Sequence, residues 1–181
     1  MNKNPEKSKK FNIRQSTSNL AVMGILTALC TVIAVYLTIR PNSSMKITLT
    51  FIPVVIAAYL YGPIGAGTVA GMADIIGCIL NPHGMIFPPI TATEILVGIV
   101  FGICLYKKRN LPRIIISVAV TQLCISTFIT PIWLYMLSGM NYLTNLYIRI
   151  PQILIMVSIE MIIIPATLKL LEKLKNAKVI I

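Results

Sequence analysis

Six apolar segments that approach or exceed the roughly 20 residues needed to cross a bilayer leave this chain few ways to fold. They cover about residues 19–39, 46–61, 64–80, 91–106, 114–137 and 150–171. In hydrocarbon every backbone N–H and C=O needs an internal partner, so apolar runs of this kind become helices. The expected fold is an all-α integral membrane protein with six transmembrane helices and structured outer-face loops. Polar stripes are nearly absent outside the loops, and the chain is 56% hydrophobic with a mean hydropathy of +0.84. A soluble helix would keep a water-facing side.

The net charge of +11 is distributed as a membrane topology signal rather than as a nucleic-acid footprint. Thirteen of the sixteen Lys and Arg fall in the N-terminal tail, in the connection Lys107, Lys108, Arg109 and Arg113, and in the C-terminal tail. With six crossings all three lie on one side, which the positive-inside rule makes cytoplasmic. Residues 1–18 are then a basic cytoplasmic tail whose first fourteen residues are poorly ordered, 19–171 the membrane domain, and 172–181 a second cytoplasmic tail. The apolar segment after the first tail lacks a small-residue cleavage site and reads as a retained helix. Cys30, Cys78, Cys104 and Cys124 lie in apolar segments without ligand spacing, as buried free thiols do.

Residues 62–91 carry the most specific pattern, GPIGAGTVAGMADIIGCILNPHGMIFPPIT. Gly62-Pro63 is an uncharged tight turn. Gly65, Gly67, Gly71 and Gly77 let a membrane helix approach its neighbours closely. Asp74 is a carboxylate inside that helix and needs a partner or a wet cavity. The proline-rich run 81–89 reads as a folded plug against the helical body. The face of the first helix that carries Gly24 and Ala28 is smooth enough for a second helix, from this chain or a partner, to lie against it.

Arg40, Lys46 and Arg149 fall toward the outer face, where topology does not explain them. Snorkelling to headgroups accounts for Arg40 and Lys46 as readily as a site does. Arg149 stands just before Pro151 and Gln152, where a guanidinium can hold a carboxylate or heterocycle edge. Trp133, the single tryptophan, follows Pro131 and offers either a belt anchor or a stacking face. Phe87 is a second stacking candidate, His83 a loop hydrogen-bonder, and Glu94 faces an outer cavity. Glu160 sits mid-helix, where a structural pair serves as well as a function. There is no P-loop, HExxH, GxSxG or aspartate-rich motif. An enzyme is disfavoured, and energised transport needs ATP hydrolysis in another subunit.

The run 40–106 resembles the substrate-binding S components of energy-coupling-factor vitamin transporters, and within them the folate branch. The pattern is Lys46-Ile47, Phe51, Pro53, Gly62-Pro63, Gly71, Asp74, Asn81-Pro82, Gly84, Phe87-Pro88, Gly98, Gly102, Leu105 and Tyr106. Trp133-Leu134, Gly139, Arg149, Gln152 and Glu160 continue it, so the similarity covers about residues 20–171. The resemblance implies a six-helix subunit that binds folate or a reduced folate near its outer face. It implies delivery together with a transmembrane T component and two ATPase subunits, and docking of that T component on the Gly24 and Ala28 face. The binding set it implies is Arg149, Trp133, Asn81, Phe87, Lys46, Glu94 and Gln152, with no metal or cofactor. The chain departs from the family at Pro89-Ile90, where FPGFT is usual, and at Thr130-Pro131, where LNT is usual. A lost asparagine amide there changes which heterocycle is read. An S component for another vitamin, and a self-sufficient membrane carrier, are the competing expectations.

Overall fold

The computed structural model describes residues 5–39, 46–80, 88–106, 110–138 and 142–176. These form helices α1 (Pro5–Tyr36), α2 (Phe51–Leu80), α3 (Pro88–Leu105), α4 (Leu111–Ala119), a π-helix (Val120–Ile129), α5 (Thr130–Ser138) and α6 (Tyr142–Asn176). Five stretches are long and apolar enough to cross a membrane: Thr17–Tyr36, Phe51–Leu80, Pro88–Leu105, Leu111–Trp133 and Leu146–Leu174. The fold is all-helical among the described residues, and the apolar residues Leu20, Ile64 and Ile162 are 71, 80 and 72% exposed on its outside. That surface is suited to lipid, not to water.

Helix α1 starts at Pro5, well ahead of the expected residue 19 and inside the stretch expected to be poorly ordered. Proline suits the first position of a helix, and the Lys, Arg and Gln residues that follow are good helix formers. At its other end α1 stops at Tyr36, and Ile39 then pairs with Ile47 through two backbone hydrogen bonds of 2.9 and 3.0 Å. Thr38 Oγ1 adds a bond to Thr48 Oγ1 at 3.1 Å. Residues 46–49, expected as the start of a helix, are therefore non-helical, with Ile47 bridged to Ile39 in keeping with the alternation of ITLTF, and Thr50 turns into α2. Pro53 then falls in the first turn of α2, where its missing N–H costs nothing.

Helix α2 is one element in name and two in geometry. Gly62 has φ 75° and ψ −160°, a conformation a residue with a Cβ adopts only under strain, and Pro63 follows it. Contacts on either side show that the chain reverses there. Cys30 Sγ donates to the Thr50 carbonyl at 3.6 Å, at the start of the first arm. On the second arm Met23 lies beside Gly65, Thr31 Oγ1 donates to the Ala73 carbonyl at 3.5 Å, and Ala34 lies beside Gly77. The second arm thus runs parallel to α1 while the first runs against it.

Helix α3 returns along the second arm almost backbone to backbone. A Cβ on Gly98 would come within 2.6 Å of the Ala66 carbonyl oxygen, and one on Gly102 would collide with the backbone of Pro63. Gly71 meets Ile95 on the same seam. The G-x-x-x-G spacing of α3 is what permits this approach. Pro88 and Pro89, expected in the plug, are instead the first residues of α3. The remainder of that loop lies outside the described residues.

The fifth apolar segment is continuous from α4 through the π-helix to α5, and the proline at 131, where a break is expected, accompanies a change of helical register. Helix α6 begins at Tyr142, within the stretch expected to be polar and irregular, and passes through Pro151 and Pro165. Ile114 and Val118 of α4 join Ile164 and Leu168 of α6 in the common core with Val55, Phe101 and Leu105.

Candidate functional site

Polar side chains gather at one end of the bundle, where residues 46–49, α3, α5 and α6 converge. The non-helical segment exposes backbone groups at membrane depth, and those of Lys46 are met by one side chain. Gln152 Oε1 accepts from the Lys46 N–H at 3.2 Å, and Gln152 Nε2 donates to the Lys46 carbonyl at 2.8 Å. The buried amide side chain acts as a neighbouring strand would. The Lys46 side chain meanwhile makes an ion pair with Glu94 of α3 at 3.4 Å, with the two side chains 33 and 35% exposed.

Next to Glu94 on α3, Thr93 Oγ1 donates to the Pro89 carbonyl at 2.9 Å and accepts the indole N–H of Trp133 at 3.1 Å. The polar edge of the α5 indole is thereby fixed by α3. Thr91 Oγ1 donates to Asp74 Oδ2 at 2.7 Å, which supplies the partner that this intramembrane carboxylate requires. Thr91 and Thr93 were not singled out by sequence, because threonines are ordinary in membrane helices and reveal a role only through what they touch.

Arg149 is 5% exposed, and its Nη1 donates to the Ser126 carbonyl at 3.1 Å, across from the π-helix. Its Nε is buried without a hydrogen-bond partner. Arg149 precedes Gln152 on α6, and Gln152 and Glu94 both hold Lys46, so the guanidinium stands at the same end of the bundle as the Glu94 carboxylate. The structure thus brings together Lys46, Glu94, Trp133, Arg149 and Gln152 of the expected set. Asn81 and Phe87, like Arg40 and His83, lie outside the described residues.

Glu160 stands apart from this group. It is 2% exposed and accepts a hydrogen bond from the side-chain amide of Gln122, a polar pair within the bundle. Among the described residues no three His, Cys, Asp or Glu side chains are placed to hold a metal. The four cysteines are free thiols; Cys30 is buried, and Cys124 is exposed, contrary to the expectation that all four are buried. On α1, Gly24 and Ala28 are exposed, and a Cβ on Gly24 would meet nothing within 4 Å. In the 18-residue apolar stretch within Thr17–Tyr36 only 17% of residues are buried, against 39% in that within Phe51–Leu80.

Several known proteins share this arrangement. The structure of FolT bound with folic acid superposes with a TM-score of 0.77 at 28% identity, over 82% of this chain and 90% of that one. The S-component for biotin from an ECF-type ABC transporter shares the fold, with a TM-score of 0.66 at 19% identity, over 90% and 93% of the two chains. The folate transporter FolT of Clostridium novyi (strain NT) is 26% identical over 132 residues, which are 72% of this chain and 77% of that protein. Residues 18–171 match the family model of the ECF transporter substrate-specific component. The chain belongs to the substrate-specific components of ECF transporters: it is a membrane-embedded, substrate-binding subunit and not an enzyme.

Proposed function

We propose that this S component binds folate or a reduced folate at its outer face and delivers it with a T component and two ATPase subunits. The observation that carries this reading is the likeness to FolT bound with folic acid, at 28% identity over most of both chains. The polar end of the bundle agrees with it. Folate joins a flat heterocycle to carboxylates, and the cluster offers an indole held by its edge together with Arg149 and Lys46. Gln152 and Glu94 join the set through their bonds to Lys46, and Asn81 and Phe87 are its candidates in the sequence outside the described residues.

In this reading the chain crosses the membrane as six segments, α2 counting as two. The helical arm 51–61 is roughly 16 Å long, and the non-helical residues 46–49 add up to roughly 13 Å. Together they match a hydrocarbon core of about 30 Å. In this reading both termini are cytoplasmic, which the grouping of thirteen basic residues supports. Gly24 and Ala28 on the bare face of α1 receive the T component.

Calorimetric titration of the detergent-purified chain with folate and with biotin tests the substrate. Tight binding of folate alone is expected, and binding of biotin alone would reassign the site. In proteoliposomes, accumulation of folate is expected only with the partner subunits and internal ATP. Uptake by the chain alone would overturn the S-component mechanism.

A further inference from the structure

The departure at Thr130-Pro131 has a geometric outcome on the neighbouring helix α6. In the π register each N–H reaches the carbonyl five residues back, as the Thr130 N–H does to Ile125. The residue five beyond Ser126 is Pro131, which has no N–H to give. The residue four beyond it is Thr130, whose N–H is already taken. Neighbouring carbonyls are covered locally: Thr127 Oγ1 donates to Gln122 at 2.8 Å, and Thr130 Oγ1 to Ile125 at 3.4 Å. The helix offers the Ser126 carbonyl no such donor, and Arg149 Nη1 takes it at 3.1 Å.

A guanidinium carries five N–H donors in a rigid fork, so anchoring one arm orients the others. In Arg149 the anchored arm leaves Nε buried and unpartnered. We propose that Pro131 is a positioning residue for the ligand: by withholding an N–H from the Ser126 carbonyl it anchors Arg149, whose Nε–H is then presented to a carboxylate or carbonyl oxygen of the bound molecule. The proposal rests on the reading of Arg149 as a ligand residue.

The test is a double-mutant cycle on the full chain in detergent, with Pro131→Ala, Arg149→Ala and the pair, read by folate calorimetry. Alanine returns an N–H to the helix and frees the guanidinium, so Pro131→Ala is expected to weaken folate binding about tenfold, equivalent to about 1.4 kcal/mol. In the Arg149→Ala background the same change is expected to add nothing. Losses that multiply, or a silent Pro131→Ala, overturn the proposal. Pro131→Val, which also restores the N–H, must behave as Pro131→Ala does. A silent Arg149→Ala would overturn both the proposal and the ligand role of Arg149 while leaving folate as the substrate. Should the wild type not bind folate, the function fails, and the same cycle read in melting temperature decides the anchoring, since additive shifts refute it.

Discussion

Gln152 and Lys46 exchange two hydrogen bonds, at 3.2 and 2.8 Å, and so tie a non-helical segment to the middle of a helix over a hundred residues later. The pair satisfies a backbone N–H and C=O where lipid offers no alternative partner. Gln152→Leu preserves bulk and strands both groups, so it is expected to lower stability by about 1–3 kcal/mol. Thermal unfolding in detergent measures this. A variant as stable as wild type would mean that water reaches residue 46.

Trp133 is held by its indole N–H at Thr93, 3.1 Å away, which fixes the orientation of its ring. Trp133→Ala is expected to weaken folate binding several-fold, by the roughly 0.5–1.5 kcal/mol that an aromatic pair contributes beyond burial. Trp133→Phe retains a face but loses the bond to Thr93 and should fall between the two. Calorimetry on the three proteins gives the order, and equal affinities would remove Trp133 from the site.

Arg149→Ala is expected to cost roughly ten- to a hundredfold in folate affinity, the loss of a charge-assisted hydrogen bond. Arg149→Lys should resemble it. A single ammonium lacks the fork needed to hold Ser126 and a ligand together. Ligand-fluorescence titration distinguishes the two outcomes, because full affinity in the lysine variant would show that charge alone suffices.

The glycines of α3 and α1 should respond oppositely to the same change. Gly98→Ala drives a methyl into the Ala66 carbonyl and is expected to destabilise the fold by about 1–3 kcal/mol. Gly24→Ala meets nothing within 4 Å and should leave the melting temperature unchanged.

A bulkier change on α1 addresses the partner instead. Gly24→Leu and Ala28→Leu are expected to retain folate binding and to lose copurification with the T component, because bulk on a small-residue seam holds the two helices apart. Intact assembly would assign that face to lipid.

The parts of this fold that are visible in the sequence are those whose signal is local. Apolar length marks the spans, Gly62-Pro63 marks the reversal, and the spacing of Gly98 and Gly102 marks a close helix contact. Asp74 announces that it needs a partner, although only the structure names Thr91. What escaped notice depends on pairing across distance. Nothing near Lys46 indicates that its backbone is answered by Gln152, so residues 46–49 read as helix when they are non-helical. Pro131 signals a break, but not that the break is a turn-widening register whose loose carbonyl reaches Arg149. The Trp133 contact to Thr93 joins two common membrane residues and has no pattern of its own.

The seam between the second arm of α2 and α3 has a mechanical consequence. Side chains that interdigitate can slide by changing rotamers, but at Gly98 and Gly102 the facing atoms are main chain. Displacing this pair along its axis would bring Cβ atoms of neighbouring residues against carbonyls that have no freedom to yield. These two helices therefore travel as one rigid block. Any difference in shape between the empty and loaded subunit is then taken up by the segments packed against this block, the non-helical residues around Lys46 and the widened turns of Val120–Ile129.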